Sequence, residues 1–196
     1  KGIVKKMNEQ NNQPVQSDAL VQRGDWQALE RAVAEGELDV VTRLMKESSH
    51  VKERMGGHCH ELLCLAIEKQ HMALSHYLID FMERGQGLAA QNNKALTQAV
   101  WTGDLQIFDR LLGAKDVQDI VACDNNFAFM IAAQKGRLHC VNELLAFEKV
   151  RSHVQKYERD WLNAVANGHV RVVQKMLDHC RVEQRLLVKL ICQALR

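Results

Sequence analysis

The densest group of potential metal ligands and nucleophiles lies at residues 57–64, in the sequence GHCHELLC. His60 and Cys64 are four residues apart, so a helix would place both on one face, and His58 and Cys59 precede them. A zinc site needs three or four ligands at about 2.0 to 2.3 Å, and this spacing matches no standard zinc finger. The HExxH pattern of zinc proteases also fails, because Cys64 stands where the second histidine is required. We therefore interpret the group as loop histidines beside a core cysteine.

Two further histidine–cysteine neighbours, His139–Cys140 and His179–Cys180, would suggest thiol catalysis if the imidazole lay against the thiol. Adjacent residues on a helix point about 100° apart, so adjacency in the sequence does not bring the two side chains together. The sequence also shows no phosphate-binding glycine loop and no paired-carboxylate motif. We therefore expect no enzymatic activity, no metal and no cofactor. A metal-dependent or thiol enzyme is the weaker alternative.

The composition favours a folded, all-helical chain. Of the 196 residues, 46% are hydrophobic, there is a single proline, and β-branched and aromatic runs are scarce. A formal charge of +2 with both signs interspersed gives no attraction to nucleic acid, and no apolar run approaches the length of a membrane span. The chain begins at Lys1 without a methionine, which suggests a fragment of a longer protein. Six scattered cysteines indicate small core residues in a reducing compartment: Cys59, Cys64, Cys123, Cys140, Cys180 and Cys192.

The elements that must position these side chains repeat along the chain. Four glycines and one glutamine recur at nearly constant spacing, and we call these positions anchors: Gly36, Gln70, Gly103, Gly136 and Gly168. Successive anchors are 34, 33, 33 and 32 residues apart. Four residues before each anchor stands an alanine: Ala32, Ala66, Ala99, Ala132 and Ala164. Seven residues before each stands a large apolar residue: Leu29, Leu63, Leu96, Phe129 and Trp161. This agreement across five units indicates an internal repeat.

Each unit predicts a pair of short helices joined at its anchor. Apolar residues seven, four and three before the anchor share one face of the first helix, and the alanine lets neighbouring first helices approach closely. A glycine at the anchor can adopt positive φ and reverse the chain, so Gln70 predicts a weaker cap or a different turn. In the second helix, residues two, five, eight and nine after the anchor should pack back. One pair cannot bury its own apolar face, so the units must stack.

The ends of the chain depart from the repeat. Residues 1–16 are polar and read as a linker or poorly ordered tail, and residues 17–180 hold the array. We expect a first helical piece from Ala19 to Arg23 with Ser17 and Asp18 as caps, a break at Gly24, and a next helix capped by Asp25. Residues 124–126, Asp-Asn-Asn, indicate a turn before the fourth unit. In residues 181–196, apolar residues recur at helical spacing, which predicts a terminal helix that covers the open core of the last repeat. These residues are Val182, Leu186, Leu187, Leu190, Ile191, Ala194 and Leu195.

The pattern L-x-x-A-x-x-x-G-x-L-x-x-V-x-x-L-L resembles ankyrin repeats from about Asp25 to Cys180. The second-helix phrases GELDVVTRLM, GDLQIFDRLL and GHVRVVQKML are close matches. The T-P-L-H opening of the family is missing from every unit, and the glycine-rich hairpin survives only as a trace at residues 113–117 and not at all at 146–159. The resemblance implies an all-α, ankyrin-like solenoid of about five helix-turn-helix repeats with degenerate, helical or irregular connections and a C-terminal capping helix. Tetratricopeptide repeats are the runner-up, but their Trp, Tyr and Pro signature positions are not filled.

The resemblance implies that the first helices line a concave face to which a protein partner binds. Side chains five, two and one before the anchors should point outward, among them Arg31, Lys69, Gln98, Trp101, Thr102, Lys135, Asn163 and Asn167. Trp101 is the exception in this polar set, and an exposed tryptophan on a binding face is a typical hot spot. The competing interpretation is that Trp101 packs on a neighbouring loop and only stabilises the array.

The function implied is a non-catalytic protein-interaction module in the cytoplasm, and we expect a monomer. Divergent arrays of this kind also resemble the ankyrin-like domains of proteins that intracellular bacteria deliver into host cells. The alternative is the targeting or substrate-recruiting portion of a larger enzyme whose catalytic domain lies outside this chain.

Overall fold

The structure is a computed structural model that describes residues 15–85, 88, 90–156, 158–180, 188, 190 and 192. These residues contain twelve helices and no strand, so the predicted all-α class is confirmed. The helices are α1 (Val15–Glu35), α2 (Leu38–Glu47), α3 (Ser49–Glu68), α4 (Met72–Glu83), α5 (Ala90–Thr102), α6 (Leu105–Gly113), α7 (Lys115–Asp119), α8 (Cys123–Lys135), α9 (Leu138–Leu145), α10 (Glu148–Lys156), α11 (Glu158–Ala166) and α12 (Val170–His179). The chain divides into two compact units, residues up to His58 and residues from Cys59, with the boundary inside α3.

In the first unit, α1 runs without interruption through Gly24, so the predicted break at this glycine is wrong. A glycine inside a helix costs only about 1 kcal/mol, and the buried ring of Trp26 outweighs that cost. The Arg54 guanidinium lies 4.5 Å from the centroid of this ring. Asp25 is likewise no helix cap, because it lies inside α1; its carboxylate accepts a hydrogen bond from the Ser48 hydroxyl at 2.8 Å.

The second unit stacks helix pairs in two layers. The first helices α5, α8 and α11 pack side by side, and the second helices α4, α6, α9 and α12 form the other layer. The core between the layers contains the residues that the repeat predicts, since each large apolar residue and each alanine before an anchor is buried. Trp161 and Phe129 are completely buried, which confirms their predicted place in the core.

The same backbone turn joins the helices of all five repeated pairs. Every anchor has a positive φ, between 60° and 82°, including Gln70. The N–H of the residue after the anchor donates to the carbonyl oxygen of the recurrent alanine, at 2.8 to 3.1 Å, as in a Schellman motif. The idea of a different turn at Gln70 is therefore wrong. This glutamine adopts the glycine conformation at a cost of roughly 1 kcal/mol.

The prediction of which second-helix residues pack against the first helices is partly wrong. Leu105 and Val170, two residues after their anchors, are 42% and 76% exposed, and Leu177 is 39% exposed. The position two after the anchor is the first residue of each second helix, and at the other three anchors it is half-buried. Residues four, five and eight after the anchor supply most of the contact, as Ile107, Phe108 and Leu111 do in α6.

Helices take the place of the hairpins that connect the repeated pairs. The short α7 lies between α6 and α8, and α10 lies between α9 and α11. These connections are joined to their neighbours by hydrogen bonds: Lys149 Nζ donates to the Asp119 carbonyl oxygen at 2.9 Å, and Trp161 Nε1 donates to the Val154 carbonyl oxygen at 2.9 Å. The expectation of degenerate, helical connections is confirmed.

The predictions for the two ends fall largely outside the described residues. Residues 1–14 are among those not described, while Val15 and Gln16 already belong to α1, so the first helix begins before Ser17. Of the C-terminal stripe only Leu190 is described; it is helical and buried. Val182, Leu186, Leu187, Ile191, Ala194 and Leu195 lie outside the described residues. None of the described helices is long and apolar enough to cross a membrane.

Candidate partner-binding surface

The group at residues 57–64 lies inside α3, so the prediction of loop histidines is wrong for His58 and His60. His60, Cys59 and Cys64 are buried, since the helix places them against the core. Burial raises the pKa of the Cys59 thiol to about 12 and, with a smaller opposing effect of Lys94, that of Cys64 to about 11. Both thiols are therefore protonated near neutral pH, and a protonated thiol is a poor nucleophile and metal ligand. Among the described residues no three His, Cys, Asp or Glu side chains are grouped to hold a metal.

The histidine–cysteine neighbours do not form catalytic pairs. The Nε2 of His139 lies 2.7 Å from Oδ1 of Asp109 on α6, while Cys140 is buried on another face of α9. The Nδ1 of His179 faces the Lys175 carbonyl oxygen at 2.9 Å, and Cys180 is directed at the Arg151 carbonyl oxygen. Burial raises the pKa of Cys140 and of Cys180 to about 11. The expected divergence of adjacent side chains is confirmed.

Trp101 is exposed on α5, as the repeat predicts. Its side chain is 49% exposed, whereas Trp26 and Trp161 are 3% and 0% exposed. The Nζ of Lys135, at the end of α8, lies 3.9 Å from the centroid of the Trp101 ring. A cation at this distance over an indole is attracted by the electron-rich face of the ring, which favours one orientation of the exposed tryptophan. The structure thus brings together two residues that are 34 positions apart.

Stacking of α5 on α8 and the turn at Gly103 hold Trp101 in place. The Arg137 guanidinium lies over Gly103, where an added Cβ would collide with it. It also donates to the carbonyl oxygen of Thr102 at 3.3 Å and approaches that of Trp101 at 3.5 Å. The main chain that carries Trp101 is therefore fixed by the next repeat.

The other predicted contact residues differ in availability. Arg31, Lys69 and Lys135 are exposed, Arg31 in the first unit, and Lys69 lies 3.7 Å from the Glu68 carboxylate. Thr102 is half-buried and its hydroxyl donates to the Gln98 carbonyl oxygen at 3.1 Å.

Asn167 directly follows α11 and is exposed, and its amide donates to the Asn163 carbonyl oxygen at 2.7 Å. Gln98 and Asn163 are themselves half-buried. Of the eight residues, Trp101 and Lys135 are the pair whose side chains are shown in mutual contact.

Two further exposed residues of α5 and α8 were not predicted. Phe127, on α8, is 40% exposed, and Lys94, on α5, is also exposed. Each stands nine residues before its anchor, so the repeat register itself contains the signal. The predicted outward positions are those five, two and one before the anchor, and they do not include this one.

The helix pairs α5–α6, α8–α9 and α11–α12 share the turn, the buried alanine and the layered packing described above. Residues 96–186 match a family model of ankyrin repeats, in three copies. The matched ankyrin repeats cover just under half of the chain and include Trp101, Phe127 and Lys135. No curated protein and no solved structure matches the chain.

Ankyrin repeats generally mediate protein–protein interaction. The match therefore supports a protein partner for this chain. The resemblance to effectors of intracellular bacteria stays a prediction.

Proposed function

We propose that this protein binds a protein partner through the solvent-facing side of its first-helix layer, with Trp101 as the central contact. The observation that supports this most is the half-exposed Trp101 ring, which lies within the matched ankyrin repeats and is oriented by Lys135. Burial of such a ring at an interface removes a large apolar surface from water, and tryptophan is enriched among interface hot spots.

The contact with Lys135 reduces the ordering that binding requires. A side chain that already occupies its bound orientation loses less conformational entropy when a partner packs on it. The main chain after Trp101 is also fixed, because the Arg137 guanidinium donates a hydrogen bond to the Thr102 carbonyl oxygen. The site is thus an ordered apolar side chain on a helix, with the ammonium group of Lys135 over it.

The proposal is tested by replacing Trp101 with alanine. Interacting proteins are captured with the wild type, Trp101→Ala and Leu105→Ala, and the affinity of each captured protein is then measured with purified components. Leu105 is the matched control, because it is also an exposed apolar residue near Gly103 but begins the second helix. We expect Trp101→Ala to weaken binding by about 30-fold, which corresponds to about 2 kcal/mol, and Leu105→Ala to have little effect.

Thermal unfolding of the same variants separates binding from stability. We expect Trp101→Ala to unfold close to the wild-type temperature, because an exposed ring contributes little to the core. A clear loss of stability together with unchanged binding would show that Trp101 only supports the array, and the proposal would then be abandoned.

A further inference from the structure

Four exposed side chains on α5 and α8 form what we call the aromatic–lysine patch: Lys94, Trp101, Phe127 and Lys135. Lys94 and Trp101 are seven residues apart on α5 and therefore share one face of that helix, about 10 Å apart along its axis. Phe127 occupies the same repeat position on α8 as Lys94 does on α5, and Lys135 reaches over Trp101. Each neighbouring helix thus contributes one aromatic ring and one ammonium group.

The charge of this patch is of one sign. Among the described side chains of α5 and α8, the charged ones are Lys94 and Lys135. Neither ammonium forms an ion pair with a described carboxylate. On α3, Glu68 lies 3.7 Å from Lys69, while Glu61 and Lys94 act in opposite directions on the pKa of Cys64. Arg137 adds a third cation over the turn at Gly103. Complementary charge is therefore left for a partner to supply.

We propose that the partner presents an acidic segment in which carboxylates flank an apolar side chain. This inference rests on the proposed function, and it names the chemistry of the partner. The apolar side chain packs on the free parts of the Trp101 and Phe127 rings, and the carboxylates bind Lys94 and Lys135. A carboxylate that reaches Lys135 binds an ammonium already held over an indole, so one contact brings the charge and the apolar surface together.

The spacing of the lysines sets the spacing of the carboxylates. Lys94 lies nine residues before its anchor and Lys135 one residue before its own. This difference of eight residues is about 12 Å along the helix axis, and neighbouring helices are about 10 Å apart. The ammonium groups are therefore attached about 16 Å apart. An extended chain advances about 3.4 Å per residue, so the two acidic residues should be four or five positions apart with the apolar residue between them.

The experiment selects binders from a displayed library of random twelve-residue peptides on the full chain. We expect the enriched peptides to carry two or more Asp or Glu residues around a Leu, Ile, Phe or Trp. A synthetic copy of the leading peptide should protect Trp101 from fluorescence quenching by acrylamide, which reports mainly on Trp101 because Trp26 and Trp161 are buried.

Charge reversal tests the role of the lysines. We expect Lys94→Glu/Lys135→Glu to bind the acidic peptide at least tenfold more weakly and to prefer a copy in which Asp and Glu are changed to Lys. Lys115→Glu is the control, since Lys115 is exposed on α7, outside the patch. The milder Lys94→Gln/Lys135→Gln variant, with circular dichroism, shows whether any loss of binding comes from unfolding.

The outcomes separate this inference from the proposed function. Peptides that require Trp101 but carry no acidic bias, or unchanged affinity in both charge variants, overturn the acidic partner alone. Binding of a single-stranded oligothymidylate probe through the same lysines also overturns it, because the patch would then be a nucleic-acid surface. Peptides that bind equally well to Trp101→Ala, or no enrichment at all, count against both proposals.

Discussion

The side chain of Arg137 lies directly over Gly103, so the first residue after one turn covers the turn of the preceding repeat. Its guanidinium donates to the Thr102 carbonyl oxygen at 3.3 Å, one of the end carbonyls of α5 that no helical N–H can reach. The next pair repeats the arrangement, since the His169 ring lies over Gly136 and its Nε2 donates to the Gln134 carbonyl oxygen at 2.9 Å. Neighbouring repeats are therefore joined at their turns as well as through their core.

Substitutions at Gly103 and Arg137 should be coupled. Gly103→Ala places a Cβ against the guanidinium at a positive φ, and we expect a loss of about 2 to 3 kcal/mol in the free energy of unfolding. Arg137→Ala should cost about 1 to 2 kcal/mol through the lost bond to the helix end. The double variant should lose less than the sum of the single losses, measured by urea unfolding. Strict additivity would show that the two residues act independently.

Gln70→Gly should stabilise the protein by about 1 kcal/mol, because Gln70 has a φ of 60° where the other anchors are glycines. Gln106→Gly is the matched control. Gln106 is exposed inside α6, where glycine should cost about 1 kcal/mol. Thermal and urea unfolding measure both variants. A destabilised Gln70→Gly variant would mean that the glutamine side chain contributes more than its backbone conformation costs.

Asn93 and Asn126 occupy equivalent buried positions ten residues before their anchors, both with positive φ, but they should respond differently to glycine. Asn93 Nδ2 donates to the Ile120 carbonyl oxygen at 2.9 Å and approaches that of Val117 at 3.3 Å, so Asn93→Gly should cost about 1 to 3 kcal/mol. The Asn126 amide has no hydrogen-bond partner among the described residues. Asn126→Gly should therefore cost less than Asn93→Gly. Equal losses in urea unfolding would contradict this difference.

The stability of the fold should decrease in alkali through its buried thiols. Burial raises the pKa of Cys59 from 9.0 to about 12, so the folded state keeps a proton that the unfolded chain releases. The contribution of this thiol to stability is therefore complete below pH 9 and is lost as the pH rises toward 12. Urea unfolding of the wild type and Cys59→Ala from pH 8 to 11 measures it. We expect a shallower decline in the variant; parallel curves would show that Cys59 does not contribute.

The sequence predicts the structure within each repeat better than the contacts between repeats. The helix pairs, their buried alanines and the exposure of Trp101 follow from local periodicity, since apolar residues spaced by helical turns must face a core. The same periodicity gave a wrong prediction at the positions two residues after the anchors. Leu105 and Val170 continue the apolar pattern, but they begin their helices and point outward. Periodicity shows which residues share a face and does not show where that face ends.

By itself the sequence determined the helix pairs, their register and the glycine turns, because each depends on residues within about ten positions of one another. Only the tertiary structure decided how neighbouring repeats contact one another. It shows Lys135 over the Trp101 ring and Arg137 over Gly103. Each of these contacts joins residues of different repeats. Their geometry depends on how closely neighbouring helices stack, and no local pattern in the chain encodes that distance.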